Sequence, residues 1–248
     1  MQLRVITFNI HKGLNLGSNR LVLHRVKELL TAIDADIVFL QEVQGEHKKR
    51  SQQFADWSKL PQTEYLAAGT WPYHCYGKTH CHQHGHHGNA LLSKYPLLGT
   101  MNVDISPHRI SNRGLLYAKL TLPNDDLSIH LICTHFGLLK IERSKQFALL
   151  NEFIHTKIHA DEPLLIAGDF NDWRSASLDL LNKSLGLCEV FNMVHGEYAK
   201  SFPASLPLLK VDRIYYRNLV PQYCEIIKTH KLSDHLPLLA KFSLNKND

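Results

Sequence analysis

Two periodicities alternate along this chain. Residues 3–8 are mostly apolar and read as a strand that ends at Asn9. After a loop over 13–19, Leu21, Val22, Val26, Leu29, Leu30 and Ile33 recur near the 3.6 spacing of one helical face, with Ser18 placed to cap that helix. Residues 37–40 return to strand character and end at Gln41-Glu42. Residues 47–60 pattern as a helix that Pro61 stops, and 61–88, rich in Gly, His and aromatic residues, predicts an irregular segment. Strands are expected at 90–92, 115–122 and 127–133, the last two joined by a turn at Pro123-Asn124-Asp125-Asp126. A second amphipathic helix over 140–158, with Phe147, Leu150 and Ile154 on one face, leads to a strand at 164–168 and a helix over 175–184. Late strands fall at 213–216, 224–229 and 237–242. With no linker, repeat or low-complexity tract between them, these elements predict one α/β domain spanning residues 1–248.

Polar residues stand where the apolar strands run out. Asn9, Glu42, Thr134-His135 and Asp169 with Asn171 each follow a strand, while Asp212-Arg213 and Ser233-Asp234-His235 each precede one. Layered α/β folds assemble their active sites from such strand ends. In Gly168-Asp169-Phe170-Asn171 a carboxylate and a carboxamide two positions apart face one side of an extended backbone. That pair can take a proton from a water molecule and hold it in line for attack. Glu42, Asp169 and Asp234 offer carboxylate oxygens and Asn9 and Asn171 offer amides, a hard, oxygen-rich set that suits Mg²⁺ or Mn²⁺. His135 and His235 can bind a phosphoryl oxygen or carry a proton, and Asp212 can orient His235. Together these describe metal-assisted phosphoester hydrolysis. No Gly-x-x-x-x-Gly-Lys loop occurs, so nucleotide-driven phosphoryl transfer has no support.

Composition narrows the setting. Twenty-eight Lys and Arg against 23 Asp and Glu give a net charge of +5, which permits an anionic substrate without demanding nucleic acid. Five scattered cysteines suggest reduced thiols. With no leader-like start and no apolar run of membrane-spanning length, a cytoplasmic protein is expected.

In order, the motifs Thr7-Phe8-Asn9-Ile10, Leu40-Gln41-Glu42-Val43, Gly88-Asn89-Ala90-Leu91-Leu92-Ser93, Thr134-His135-Phe136, Gly168-Asp169-Phe170-Asn171, Val211-Asp212-Arg213-Ile214 and Ser233-Asp234-His235-Leu236-Pro237-Leu238 resemble the endonuclease/exonuclease/phosphatase (DNase I-like) superfamily, in a compact bacterial form. The resemblance implies a four-layer α/β sandwich, two mixed sheets face to face with helices outside. It implies Glu42 as principal metal ligand beside Asn9, Asp169 activating the water that Asn171 positions, and His235, oriented by Asp212, on the scissile phosphate. His135 matches the second histidine of the DNase-like and sphingomyelinase-like branches, and Asp234 a carboxylate supporting the metal or His235. Whether His235 or Asp169 is the base stays open at this point.

Other features carry weaker signals. The segment from His74 to His87 holds six histidines and two cysteines, but its spacing matches no zinc-finger pattern and a rim loop is expected. His86 and His87 abut Asn89, and His87 and Asn89 are candidate substrate contacts. Arg113, at a strand start, is a candidate phosphate clamp, because guanidinium binds phosphate bidentately. His47-Lys48-Lys49-Arg50 reads as a solvated face, and Trp71, Tyr73 and Tyr76 as core covering. The substrate expected is a phosphodiester, with nucleic acid favoured. A phospholipid or small phosphoester is the alternative, for which an apolar rim around Trp71 and Leu206-Pro207-Leu208-Leu209 would suit lipid. No obligate protein partner is implied. A catalytically dead binding module is disfavoured, since Glu42, Asp169, Asn171, Asp212 and His235 are all retained.

Overall fold

A computed structural model of the chain describes residues 1–15, 20–108, 111–123, 128–173, 181, 184–229 and 231–244. Its strands are β1 (Gln2–Asn9), β2 (Ile37–His47), β3 (Tyr73–His82), β4 (Gly85–Ser93), β5 (Leu97–Asp104), β6 (Gly114–Thr121), β7 (Ser128–His135), β8 (Leu164–Asp169), β9 (Cys188–Glu189), β10 (Asp212–Arg217), β11 (Val220–Ile226) and β12 (Leu238–Ser243). They form two six-stranded sheets, ordered β11-β12-β1-β2-β4-β3 and β5-β6-β7-β8-β10-β9. The α-helices are α1 (Leu23–Ile33), α2 (Arg50–Gln53), α3 (Gln62–Ala67), α4 (Lys140–Lys157) and α5 (Val190–His195).

Each sheet centres on one parallel pair, β1–β2 and β7–β8, and the other pairings are antiparallel. Parallel neighbours need a crossover, which α1 supplies in the first sheet and α4 in the second. Strand alternation then sorts the side chains into layers. Val5, Phe39, Leu91 and Ala240 point between the sheets to meet Leu116, Leu131, Leu165 and Ile214. The offset residues Ile6, Phe8, Val38 and Leu40 pack on Val26 and Leu30 of α1, while Ile132 and Ile166 pack on Phe147, Leu150 and Ile154 of α4. The result is the expected four-layer sandwich. No helix among the described residues is long and apolar enough to cross a membrane.

Several local expectations are corrected. Helix 47–60 shrinks to α2, and Pro61 caps α3 at its start instead of stopping a helix, a place its fixed φ suits. The segment 61–88 is largely α3 and the β3–β4 hairpin, so the histidine-rich stretch is sheet and not loop. Leu21 lies in an isolated bridge with Leu14, and α1 begins at Leu23. The strands that patterning missed, β3, β5 and β9, are all sheet edges. An edge strand buries neither face fully, so it lacks the apolar alternation that marks a half-buried one. Ser18, Asn124 to Asp126 and most of the 175–184 helix lie outside the described residues. Trp71 is core as expected, with its indole N–H donating to Ala35 O at 2.8 Å.

Candidate active site

The inward stripes of several strands turn polar at one common end. On β1 the stripe runs Leu3, Val5, Thr7, Asn9; on β7 Leu131, Cys133, His135; on β8 Leu165, Ala167, Asp169. The antiparallel strands begin at this end, with Asp212 ahead of Ile214 on β10, and His87 and Asn89 ahead of Leu91 on β4. The same alternation that fills the inter-sheet core therefore delivers the polar set, and hydrogen bonds cross between the sheets there. Asn9 Nδ2 donates to Asp169 Oδ2 at 3.2 Å, and Gln41 Nε2 donates to Cys133 Sγ at 3.3 Å.

Glu42 reaches this edge by a different device. Strict alternation would send it outward with Val38 and Leu40. The β2–β4 register shifts between Leu40 and Val43, and Glu42 takes φ 54°. Val43 then packs on the outer layer with Val38 and Leu40, so the bulge has changed the parity of the strand. Bulges re-aim side chains in this way. His11 (φ 46°), Lys12 (φ 60°) and Asn171 (φ 51°) also sit in the left-handed region around the site. Asn tolerates that region, but for the other three it costs about 1 kcal/mol or more each. Gly168 (φ 151°) is required for packing: a Cβ there would lie 1.9 Å from Thr134 O, blocking the approach of β8 to β7 beside Asp169.

Asp169 is the hub. Its Oδ1 accepts the Asn171 backbone N–H at 3.0 Å. Its Oδ2 lies 3.4 Å from His135 Nε2 and 3.8 Å from His235 Nε2. His235 Nδ1 stands 2.9 Å from Asp212 Oδ2, which also accepts the Ser201 hydroxyl at 2.5 Å. Phe202 covers the His235 ring at 4.8 Å between centroids. Asn171 Nδ2 donates to Phe136 O at 2.9 Å, which fixes its orientation.

Burial and the like charge of Asp212 push the Asp169 carboxyl up to about 7, against the opposing pull of His235. Burial alone would lower His235, but Asp212, Asp169 and Asp234 outweigh it and raise the imidazole to about 10. His135 goes the other way: burial and the Arg113 guanidinium keep it well below its ordinary value, so it is neutral. Burial also works against charge on Glu42, yet Lys12, through its charge and its hydrogen bond, holds the carboxyl well below the usual carboxylate range. For Asp234 the hydrogen bond from His11 overcomes burial and lowers it.

Glu42, Asp234 and Asn9 form an all-oxygen set. Lys12 Nζ stands 2.5 Å from Glu42 Oε2 and His11 Nδ1 3.3 Å from Asp234 Oδ1, so Glu42 already holds a partner of the sign a metal would have and Asp234 a hydrogen-bond partner. The Asn9 amide oxygen accepts the His11 N–H at 3.1 Å and keeps a second lone pair. These donors fit a hard divalent ion. Asp169, Asp212 and His235 also bring ligand atoms within 4.8 Å of one another, with Asp212 and His235 already paired to each other at 2.9 Å.

The remaining candidates divide. Two buried nitrogens, Arg113 Nε and His87 Nδ1, have no hydrogen-bond partner, and burial together with Lys12 takes His87 down to about 3. The Arg113 N–H left unpaired, with His87 Nδ1 beside it able to donate in one tautomer, can meet an acceptor such as a phosphoryl oxygen. Asn89 instead ties the sheets together, its Nδ2 donating to Gly114 O at 3.0 Å and reaching Cys133 O at 3.4 Å. His86 points to the other face, where its Nδ1 meets the Tyr76 hydroxyl at 3.0 Å. Sequence reading missed Lys12, His11 and Ser201. Lys12 and His11 lie only three and two residues past Asn9, and proximity to a strand end was their one available signal.

A family model described as the endonuclease/exonuclease/phosphatase family matches residues 6–235. The chain belongs to this family. Its members typically hydrolyse phosphoester bonds. The chain is 38% identical over 244 residues to the uncharacterized protein YbhP of Escherichia coli, covering 97% of this chain and 96% of that one. Among solved structures, an endonuclease/exonuclease/phosphatase from Beutenbergia cavernae superposes with a TM-score of 0.83 at 18% identity, over 98% of this chain and 72% of that one. TDP2 of D. rerio, solved with a single-strand DNA product, gives 0.73 at 19% identity, over 98% and 99%. At these identities the two structures establish the shared DNase I-like fold.

Proposed function

We propose that this family member is a divalent-metal-dependent phosphodiesterase in which Asp169 takes the proton of the attacking water. The observation that carries this reading is the pairing of a buried carboxyl raised to about 7 with an imidazole raised to about 10, 3.8 Å apart. Environments that push two titrating groups apart assign base and acid. His235 at about 10 is a cation at neutral pH and cannot serve as the base. It binds the scissile phosphate, held by Asp212, while Asp169 accepts the proton and Asn171 positions the water. Neutral His135 donates a hydrogen bond to a phosphoryl oxygen, and Arg113 and His87 offer their unpaired nitrogens to the same anion. Glu42, Asn9 and Asp234 would hold Mg²⁺ or Mn²⁺, which supplies Lewis-acid neutralisation of charge at the phosphate.

Nucleic acid is the favoured substrate. The net charge of +5 and the unpaired donors at Arg113 and His87 support a polyanion, as does the likeness to a structure bound to single-strand DNA. One observation favours a second reading, a phospholipid head group. Leu138, Leu139, Ile141, Trp173, Leu206 and Leu208 are all well exposed on segments near the same edge. Arg143 links two of these segments, donating to Leu138 O at 2.6 Å and lying over the Trp173 ring at 5.3 Å. Exposed apolar side chains around a site suit a lipid surface.

The test is hydrolysis of single-stranded DNA, RNA, abasic duplex and phospholipid vesicles by tag-free protein with Mg²⁺. Glu42→Ala and His235→Ala serve as blanks. Turnover of a nucleic acid, lost in both variants and falling steeply with salt, is expected. Turnover of vesicles alone would transfer the proposal to lipid, and no metal-dependent turnover of any phosphodiester would overturn it.

A further inference from the structure

Both carboxylates assigned above to the metal are covered by one short turn. His11 and Lys12 form the core of the 3-10 turn His11–Gly13 that follows β1, and both residues have positive φ. The turn is built into place. The Asn9 side-chain oxygen accepts the His11 N–H at 3.1 Å. The Lys12 carbonyl accepts Gln62 Nε2 at 2.9 Å, and Gln62 Oε1 in turn accepts the Gln44 N–H at 2.8 Å, two residues beyond Glu42. Gln62 is itself buried. This clamp fixes the start of the Lys12 side chain against β2, and its ammonium ends 2.5 Å from Glu42 Oε2. A lysine on a solvated strand end would prefer its many free rotamers to a strained backbone and one fixed partner.

We propose that Lys12 is the resident counter-ion of Glu42, a lysine that competes with a divalent ion for this carboxylate and thereby sets the site's affinity for that ion. This rests on Glu42 as a metal ligand, the reading given above. A carboxylate flanked by a second one at Asp234 would be strongly repelled in an ion-free site, and the Lys12 ammonium removes that repulsion. A divalent ion arriving at Glu42 must then either expel the ammonium or bind a few ångströms from a like charge. Both cost affinity, because unit charges that close interact strongly even at an effective dielectric near that of a protein surface. The positive φ at Lys12 supplies a conservative second variant, since Asn accepts the left-handed region better than Lys.

Mn²⁺ binding to tag-free protein, measured by calorimetry and by the electron paramagnetic resonance signal of free Mn²⁺, tests this without any turnover. Lys12→Met and Lys12→Asn should each bind Mn²⁺ about tenfold or more tightly than the natural chain, and the further change Glu42→Gln in either background should abolish the gain. Equal or weaker binding in both lysine variants, with the natural chain binding measurably, would overturn the counter-ion role and leave Glu42 as a ligand. No saturable Mn²⁺ binding in any of the three proteins would instead remove the metal assignment of Glu42, and the counter-ion role with it.

Discussion

The two carboxylate corners of the site start from the same chemistry and end in opposite states. Glu42 stands beside the Lys12 ammonium at 2.5 Å, and its carboxyl stays ionised throughout the physiological range. Asp169 stands in the sheet interface, buried beside Asp212, and its carboxyl rises to about 7. The difference is one of position on the strand. Glu42 leaves β2 at a bulge and meets the Lys12 side chain of a neighbouring turn, whereas Asp169 continues an apolar stripe and inherits its dry surroundings. An ionised oxygen is what a metal needs, and a carboxylate near 7 is what proton abstraction needs. One residue chemistry can meet both needs when one carboxylate sits on a bulge and the other in register.

Removing either corner separates the two roles most sharply. Glu42→Ala should lower turnover by about 10³-fold or more and abolish Mn²⁺ binding. Asp169→Asn should lower turnover by about as much but leave Mn²⁺ binding intact. Equal loss of metal affinity in both variants, read by calorimetry, would merge the corners into a single ligand set.

The pH profile sharpens the same contrast. Asp169 must lose its proton to act as base, so kcat/KM should rise as pH climbs through about 7. His235 must keep its proton to bind phosphate, so the rate should fall again as pH climbs through about 10. The acidic limb belongs to Asp169 and the neighbours it titrates with. Asp212→Asn removes the largest charge that holds His235 protonated. It should cost about 10- to 100-fold at neutral pH, less than His235→Ala, and move the alkaline limb toward lower pH. An alkaline limb that stays near 10 in that variant would detach Asp212 from the imidazole.

Much of this site was legible in the chain because it obeys alternation. Asn9, His135, Asp169 and Asp212 are the polar ends of apolar stripes, so reading where each stripe ran out found them, and the ordered motifs joined them into one family pattern. What sequence could not give was geometry that breaks alternation. The bulge at Glu42 and the left-handed turn at Lys12 depend on backbone angles that no residue type there announces, since neither is glycine. Asn89 shows the converse. It sits in the family motif beside the site, yet its amide nitrogen is spent on Gly114 O and Cys133 O across the interface. The histidine-rich hairpin stayed opaque because β3 is an edge, where burial leaves too faint a pattern to separate strand from loop.

The smallest effect concerns stability, and it asks whether Asp169 is kept for chemistry. A carboxyl whose folded value is raised binds its proton more tightly in the folded chain than in the unfolded one. The linked stability is fully present below the ordinary value of 3.8 and is lost as pH rises through about 7. Above 7 the folded protein must carry a buried charge that the hydrogen bonds from Asn9 and Asn171 only partly offset. Asn at this position keeps the shape and removes that charge. Asp169→Asn should therefore match the natural chain near pH 4, gain on it progressively to pH 7, and remain ahead by on the order of 2 kcal/mol at pH 8.5, measured by urea unfolding. A gain in stability bought with the loss of turnover is the signature of a residue retained for function. A variant less stable than the natural chain at every pH would mark Asp169 as a strut between the sheets, and the base would have to be sought among the residues around it.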